Sequence, residues 1–317
     1  MYLERRSATR VAMAVSPSGR MFSDPFLAER SMIRAVSAAL FVAAAVVSPS
    51  IRDAATAPTR FKHPVVTVHT KEFAFIAPAS IAAGTTTFRL VNDGKETHQI
   101  SILQLAKGKT LADYAAAMKA NKPAPWAVGV GGPNAAGPGQ TIDATLTLDA
   151  GNYVLVCWIP SPGSPVPHMA KGMIQPLTVA APGGVTQAGD SYLPESAPDV
   201  HLELSEYGFK LSKPLTAGKH TIHVMNTGTQ EHEAVIMKLM PGKTMKDADA
   251  WFVSNMKGPS PIEAMPGMAG LGKGRTGSFT TNLTPGRYGL ICYIPDAKDG
   301  KPHSMHGMVH EFTVAAK

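Results

Sequence analysis

Two stretches of the chain share one arrangement of a cysteine, a histidine and a methionine. One runs from Cys157 to Met173 and the other from Cys292 to Met308, and they hold the only two cysteines of the sequence. In both, ten residues separate the cysteine from the histidine and four separate the histidine from the methionine. Thiolate, imidazole and thioether are soft or borderline ligands of transition metals. The spacing therefore predicts the same metal site twice.

A second pair of histidines belongs to this repeat. When the sequence is shifted by 134 residues, residues 91–113 fall on residues 225–247, and one inserted residue makes the shift 135 for the later block. Agreement in two blocks on either side of one insertion indicates a tandem duplication. Each copy then offers four ligands, which are His98, Cys157, His168 and Met173 in the first and His232, Cys292, His303 and Met308 in the second.

The four ligands of a copy form a chemically coherent set. Two imidazoles, one thiolate and a weak axial thioether are the donors of copper sites that move one electron. The early histidine is distant in sequence from the other three, but a β-sandwich collects its loops at one end, where they can meet. We therefore expect one copper ion in each copy.

The elements that position these ligands are predicted to be short β-strands. Apolar residues alternate or form short β-rich runs, separated by Gly, Pro, Asn and Asp. One helical segment per copy begins at Thr110 or Thr244, each followed three residues later by an aspartate. The sequence predicts an all-β protein of two tandem Greek-key β-sandwich domains, each with roughly six to eight strands and one inserted helix.

The predicted boundaries follow from the repeat and from composition. Residues 1–57 are the signal peptide region, 58–180 the first domain, 181–198 a linker rich in Gly, Pro and Ser, and 199–317 the second domain. The Gly-rich stretch 129–139 lacks the ending of a phosphate-binding loop, and we interpret it as a flexible loop near the metal-binding end.

The N-terminal region has the layout of a secretory signal peptide. Two arginines precede an apolar run over residues 35–47, and small residues follow. The signal is predicted between Met32 and Ala57, with Met32 as a candidate start. An uncleaved N-terminal anchor is the alternative, although the run is short for a membrane span. We expect a periplasmic or extracellular protein with no integral membrane span in its mature form.

The charge distribution argues against a nucleic-acid partner. The chain has 30 Lys and Arg against 23 Asp and Glu, a net charge of +7, but the basic residues are scattered and no basic run is interleaved with aromatics. The expected partners are redox proteins of the cell envelope.

Both copies resemble the cupredoxins, the blue (type 1) copper domains, over nearly all of each repeat. The early His after Asn and the late Cys, His and Met loop carry this resemblance, and the H-x-x-x-G-M ending is similar to the first domain of copper nitrite reductases. The resemblance implies axial Met173 and Met308, and it places the later histidines at an exposed edge. The implied equatorial ligands are His98, Cys157 and His168, then His232, Cys292 and His303.

The expected function is one-electron transfer, and two other functions remain open. Copper storage or trafficking in the cell envelope would suit the additional Met265, Met268, Met305 and His306 of the second copy. A two-domain copper oxidase or nitrite reductase would need histidines directly beside the cysteine. Val156 and Trp158 flank Cys157, and Ile291 and Tyr293 flank Cys292, so we expect no catalytic centre.

Three further expectations concern the cysteines and the second copy. The two cysteines could instead form a disulfide between the domains. A copy could also have lost its metal and kept an inert cysteine. Finally, Glu231 and Glu233 flank His232, and carboxylates there would favour Cu(II) and lower the reduction potential of the second site.

Overall fold

A computed structural model describes residues 62–181, 191–194 and 196–316, which lie within one compact unit. The predicted signal peptide lies outside the described residues. Among those that are described, no helix is long and apolar enough to cross a membrane.

The first repeat is built from short strands and one helix. Its elements are β1 (Lys62–Lys71), β2 (Ala74–Ile76), β3 (Ser80–Ala82), β4 (Gly84–Asn92), β5 (Ser101–Leu105), α1 (Leu111–Lys119), β6 (Ala127–Gly131), β7 (Pro133–Asn134), β8 (Thr141–Leu148), β9 (Gly151–Val156) and β10 (Ile174–Ala180). Within the predicted linker, β11 (Ser191–Pro194) pairs antiparallel with β1 as an edge strand.

The second repeat follows the same order. Its elements are β12 (Val200–Ser205), β13 (Gly208–Leu211), β14 (Gly218–Asn226), β15 (His232–Leu239), α2 (Met245–Val253), β16 (Ile262–Leu271), β17 (Thr276–Leu283), β18 (Gly286–Ile291) and β19 (Val309–Val314). The expected all-β fold, with one inserted helix in each repeat, is confirmed.

Both helices begin with the caps that the sequence predicts. The Thr110 hydroxyl accepts a hydrogen bond from the Asp113 N–H, while the Asp113 carboxylate accepts one from the Thr110 N–H. Thr244 and Asp247 form the same reciprocal pair in the second repeat. Each box satisfies donors that a helix N-terminus otherwise leaves unpaired.

The two repeats are joined through both of their sheets. One sheet has the strand order β11-β1-β4-β8-β17-β14-β12-β13, with β2 paired to β1. The other has the order β19-β18-β15-β16-β6-β5-β9-β10-β3, with β7 paired to β16. Pairing of β8 with β17, and of β6 and β7 with β16, carries each sheet across the repeat boundary.

The main core lies between these sheets and draws on both repeats. Phe88, Leu90 and Leu146 of the first repeat belong to the same buried cluster as Ile222 and Phe279 of the second. Burial of such side chains is the dominant favourable contribution to folding. The candidate metal ligands Cys157, Met173, Cys292 and Met308 are also members of this cluster.

The Gly-rich stretch forms part of the contact between the repeats. Residues 129–137 are buried, so the interpretation as a flexible loop is wrong, while the expected closeness to a metal-binding end is correct because Ala136 pairs with His98. Gly132 has a φ of +141°, and a Cβ built there would lie 1.9 Å from the Ile100 carbonyl oxygen. Only glycine fits this backbone and this approach.

Gly132→Ala should therefore lower the free energy of unfolding by roughly 3 kcal/mol, since it adds backbone strain and a clash with the backbone carbonyl of the buried Ile100. Urea denaturation of the copper-free protein measures this cost. Gly139→Ala is the matched control: its φ is +73°, but nothing lies within 4 Å of the added Cβ. The control substitution should lower the free energy of unfolding by only about 1 kcal/mol. Equal losses for Gly132→Ala and Gly139→Ala would contradict the role of the close approach at Gly132.

Candidate metal centres

The first cluster is assembled from three parts of the first repeat. Cys157 directly follows β9, and His168 begins a short 3-10 turn, His168–Lys171, in the loop before β10. His98 lies between β4 and β5, where its backbone N–H and C=O pair with Ala136 at 2.9 Å each. Asn92 shapes the turn before it, because its side-chain amide donates to the Ala136 carbonyl at 2.9 Å.

Backbone hydrogen bonds close the long loop from the cysteine to the methionine. The Cys157 N–H donates to the Met173 carbonyl at 3.2 Å, the Met173 N–H to the His168 carbonyl at 3.0 Å and the Met169 N–H to the Cys157 carbonyl at 2.9 Å. The spacing seen in the sequence thus brings three ligand backbones together. In the second repeat the matching distances are 3.3 Å (Cys292 to Met308), 3.0 Å (Met308 to His303) and 2.9 Å (Ser304 to Cys292).

In the first cluster, the donor atoms face one another. His98 Nδ1 lies 3.1 Å from His168 Nδ1, which lies 3.5 Å from the Cys157 sulfur. One candidate ligand atom from each of these three residues falls within 4.8 Å of the others. The Met173 side chain is fully buried and belongs to the same core cluster as Cys157.

The second cluster repeats this geometry closely. His232 Nδ1 lies 3.0 Å from His303 Nδ1, which lies 3.4 Å from the Cys292 sulfur. These ligand atoms also fall within 4.8 Å of one another, and Met308 is fully buried. The two histidines and the cysteine predicted as ligands in each copy therefore form two equivalent groups, and both predicted methionines are buried.

Burial keeps these groups uncharged in the absence of a cation. Burial raises the pKa of the Cys157 thiol to about 12, and burial together with the neighbouring His168 lowers the pKa of His98 to about 4. Burial also raises the pKa of Cys292 and lowers that of His303. A bound cation would compensate the thiolate, so metal binding there must release a proton.

Carboxylates lie behind the imidazoles, on the side away from the cluster centre. Glu96 lies 2.9 Å from His168 Nε2, and Glu206 lies 3.4 Å from His232 Nε2. A proton on Nε2 leaves the Nδ1 lone pair free for a metal, which is how outer partners orient metal-binding histidines. The other two imidazoles each have a carboxylate oxygen 3.9 Å from Nε2. Glu72 supplies it at His98, and Asp296 supplies it at His303.

Sequence reasoning missed these carboxylates. Glu72 and Glu206 occupy matching positions of the repeat, each followed by an aromatic residue, which was the available signal. They also fix the turn before the first histidine. Although burial raises the pKa of Glu206, hydrogen bonds from the Gln230 and Thr229 N–H groups lower it to about 2.

The later histidines are not at an exposed edge, because both are fully buried. Glu96 and Ser161 contact His168 Nε2, the latter at 3.3 Å, and the Phe73 ring packs 5.0 Å from its ring. Lys171 covers the outer side, since its ammonium donates to Ser161 and lies 4.5 Å above Phe73.

Different side chains pack over the later histidine of the second cluster. Tyr207 packs 5.3 Å from the His303 ring and stacks on His306 at 4.9 Å. Its hydroxyl donates to Asp296, which also accepts a 2.8 Å hydrogen bond from Gln230. The carboxylate near the later histidine thus comes from residue 96 in one copy and from residue 296 in the other.

The carboxylates flanking His232 do not contact it as the sequence suggested. Glu231 accepts a 3.0 Å hydrogen bond from the Gly129 N–H, and Glu233 accepts one of 2.9 Å from the Tyr293 N–H. The carboxylate that reaches the His232 imidazole is Glu206.

The additional methionines are dispersed over different environments. Met268 is fully buried and Met265 packs against the core, so neither belongs to an exposed Cu(I)-binding patch. Met305 is 69% exposed. His306 forms a further candidate metal group with Asp296 and Asp299, but the oxygens of Asp296 are occupied by Tyr207, Gln230 and backbone donors.

Both cysteines are free and buried, which contradicts the alternative of a disulfide between the domains. Each sulfur instead lies beside a histidine of its own repeat. Two imidazole nitrogens, one thiol and a buried thioether suit copper in both oxidation states. Each of the two groups could therefore hold one copper ion.

The chain matches no protein-family model, and a search of curated proteins found no match. Among solved structures it is similar to auracyanin from Roseiflexus castenholzii (24% identity, 37% of this chain and 97% of that chain, TM-score 0.27). It is also similar to auracyanin A, a "blue" copper protein from Chloroflexus aurantiacus (23% identity, 36% and 98%, TM-score 0.25). A copper nitrite reductase from Nitrosomonas europaea aligns over more of the chain (15% identity, 80% and 94%, TM-score 0.23).

These similar structures include cupredoxins, the family that the sequence motifs resemble. The TM-scores lie between 0.23 and 0.27. What the two clusters can do must therefore be understood from the residues and geometry of this chain.

Titration of the copper-free protein with a chromogenic disulfide reagent tests the buried thiols. We expect two thiols per chain after denaturation, and a reaction at least about a hundredfold slower in the native state, because reaction requires local opening. Cys157→Ser should reduce the count to one. A chain without thiols before reduction would contradict the free cysteines.

Proposed function

We propose that the protein binds one copper ion in each cluster and transfers single electrons. The observation that supports this most strongly is the convergence of two imidazole nitrogens and one buried sulfur within 4.8 Å, found twice in one chain. Copper held by such donors changes oxidation state without needing a substrate site.

In each site the two histidines, the cysteine and the buried methionine would hold the copper ion. Bound copper supplies a one-electron couple, Cu(II) to Cu(I). The chain supplies donors that already face one another, an interior that excludes water, and carboxylates that orient the imidazoles. Because these groups are held by backbone hydrogen bonds, a change of charge requires little rearrangement.

We further propose that the partners are redox proteins of the cell envelope and that the protein is exported. Such partners would approach each site over the side chains that pack over its later histidine. These are Lys171 and Phe73 at the first site, and Tyr207 and His306 at the second. These two surfaces differ in charge and chemistry, and this difference favours different partners at the two sites.

Reconstitution with Cu(II) tests the proposal directly. We expect about two copper ions per chain and an intense thiolate-to-copper absorption band at roughly 600 nm, or shifted towards about 450 nm. Cys157→Ser and Cys292→Ser should each remove one copper and its share of the band. The band should bleach on reduction and return on oxidation without loss of metal.

Other outcomes would favour the other functions. Rapid transfer of Cu(I) to a chelator, with slow redox cycling, would point to storage or trafficking. More than two copper ions per chain would point to an enzyme related to oxidases or nitrite reductases. A protein that binds no copper would contradict the proposal.

Replacing the thioether of the buried methionine gives an independent prediction. Met308→Leu should raise the reduction potential of the second site, because loss of a weak donor destabilises Cu(II) more than Cu(I). Met173→Leu should do the same in the first site. Redox titration in the Cys157→Ser and Cys292→Ser backgrounds assigns each shift to one site, and an unchanged potential would argue against the methionine as a ligand.

A further inference from the structure

The second cluster is supported by a side chain from the first repeat. Glu233 directly follows the ligand His232 and is buried, with 7% of its surface exposed. One of its carboxylate oxygens accepts a 2.9 Å hydrogen bond from the Tyr293 N–H, and the other accepts one of 3.2 Å from the Asn134 side chain. Asn134 is itself buried and belongs to β7.

Glu233 contacts the ligand Cys292 from two directions. Its backbone N–H donates to the Cys292 sulfur at 3.5 Å. Its carboxylate holds the N–H of Tyr293, the residue after Cys292 in the chain. The position of Glu233 therefore determines how the sulfur sits relative to the two imidazoles.

The first cluster lacks this support from the other repeat. Gln99 occupies the position that corresponds to Glu233, and Ala269 the position that corresponds to Asn134. An alanine methyl group cannot donate a hydrogen bond. The side-chain link between the repeats at this position therefore serves the second cluster alone.

We propose that Asn134 is a positioning residue for the second metal centre, acting across the repeat boundary through Glu233. This inference rests on the proposed copper function of that site. Its consequence is that the second repeat does not complete its own centre, because one of the groups that fix Cys292 belongs to the first repeat.

The backbone of the same segment also supports the first cluster. Ala136, two residues after Asn134, pairs through its backbone with His98. Ala135 between them has a φ of +67°, a left-handed conformation that is costly for alanine and is held by its surroundings. Since the backbone serves one cluster and the Asn134 side chain the other, removing only the side chain should separate the two effects.

Asn134→Ala in the two single-site backgrounds tests the proposal. In Cys157→Ser, which keeps only the second site, the variant should weaken copper binding about tenfold and shift the thiolate-to-copper band, because the buried Glu233 oxygen loses its donor. In Cys292→Ser, which keeps only the first site, affinity should stay within about twofold and the band should not move.

Three further variants distinguish a positioning role of Asn134 from a general weakening of the contact between the repeats. Gln104→Ala removes another hydrogen bond between the repeats, the one from Arg275, and should leave the second-site band unchanged. Glu233→Gln keeps an oxygen for the Tyr293 N–H, and the Asn134 amide can rotate to accept from the new amide, so the band should be largely retained. Glu233→Ala should reproduce the effect of Asn134→Ala.

A metal-free measurement keeps the inference testable if the copper function fails. In copper-free Cys157→Ser protein, Asn134→Ala should increase the reaction rate of the Cys292 thiol at least about fivefold, measured while the variant remains folded. An unchanged rate and band, equal changes in both single-site backgrounds, or the same change in Gln104→Ala would overturn the proposal. Loss of copper binding in both backgrounds would instead overturn the proposed function.

Discussion

The fold depends on one constraint, which is that two imidazole nitrogens and a thiol sulfur must face one another in an interior without water. Such groups are costly to bury unless their remaining polar atoms are satisfied. At His168 and His232 the Glu96 and Glu206 carboxylates meet this cost, and backbone hydrogen bonds join the Cys, His and Met of each loop. Among the described residues, the Nε2 atoms of His98 and His303 have no hydrogen-bond partner. The strands, turns and caps of each repeat can be understood as the frame that brings these groups to one place.

Duplication preserved the ligands and changed their surroundings. The donor distances in the two clusters agree within 0.1 Å, at 3.1 and 3.0 Å between the imidazoles and 3.5 and 3.4 Å from sulfur to nitrogen. Around the later histidine, however, Glu96 and Ser161 of one copy correspond to Gln230 and Asp296 of the other. The carboxylate is kept while its position in the chain changes, so two sites with the same ligands have different outer environments.

The joining of the repeats explains the segment richest in glycine. Residues 129–137 carry β6 and β7 against β16, and the close approach leaves no room for side chains at several positions. A Cβ on Gly129 would lie 2.5 Å from the Gly270 carbonyl oxygen. Because this segment also contacts His98 and Glu233, the contact between the repeats and the two clusters form one continuous structure.

The sequence by itself determined the repeat, the all-β class, both capped helices and all eight candidate ligands, because each is encoded by local pattern or by spacing that the duplication shows twice. It did not determine the carboxylates behind the imidazoles, the burial of His168 and His303, or the contact of Asn134 with Glu233. These depend on side chains from distant strands and from different repeats. Sequence spacing does not reveal such contacts, and only the packing of the two sheets brings them together.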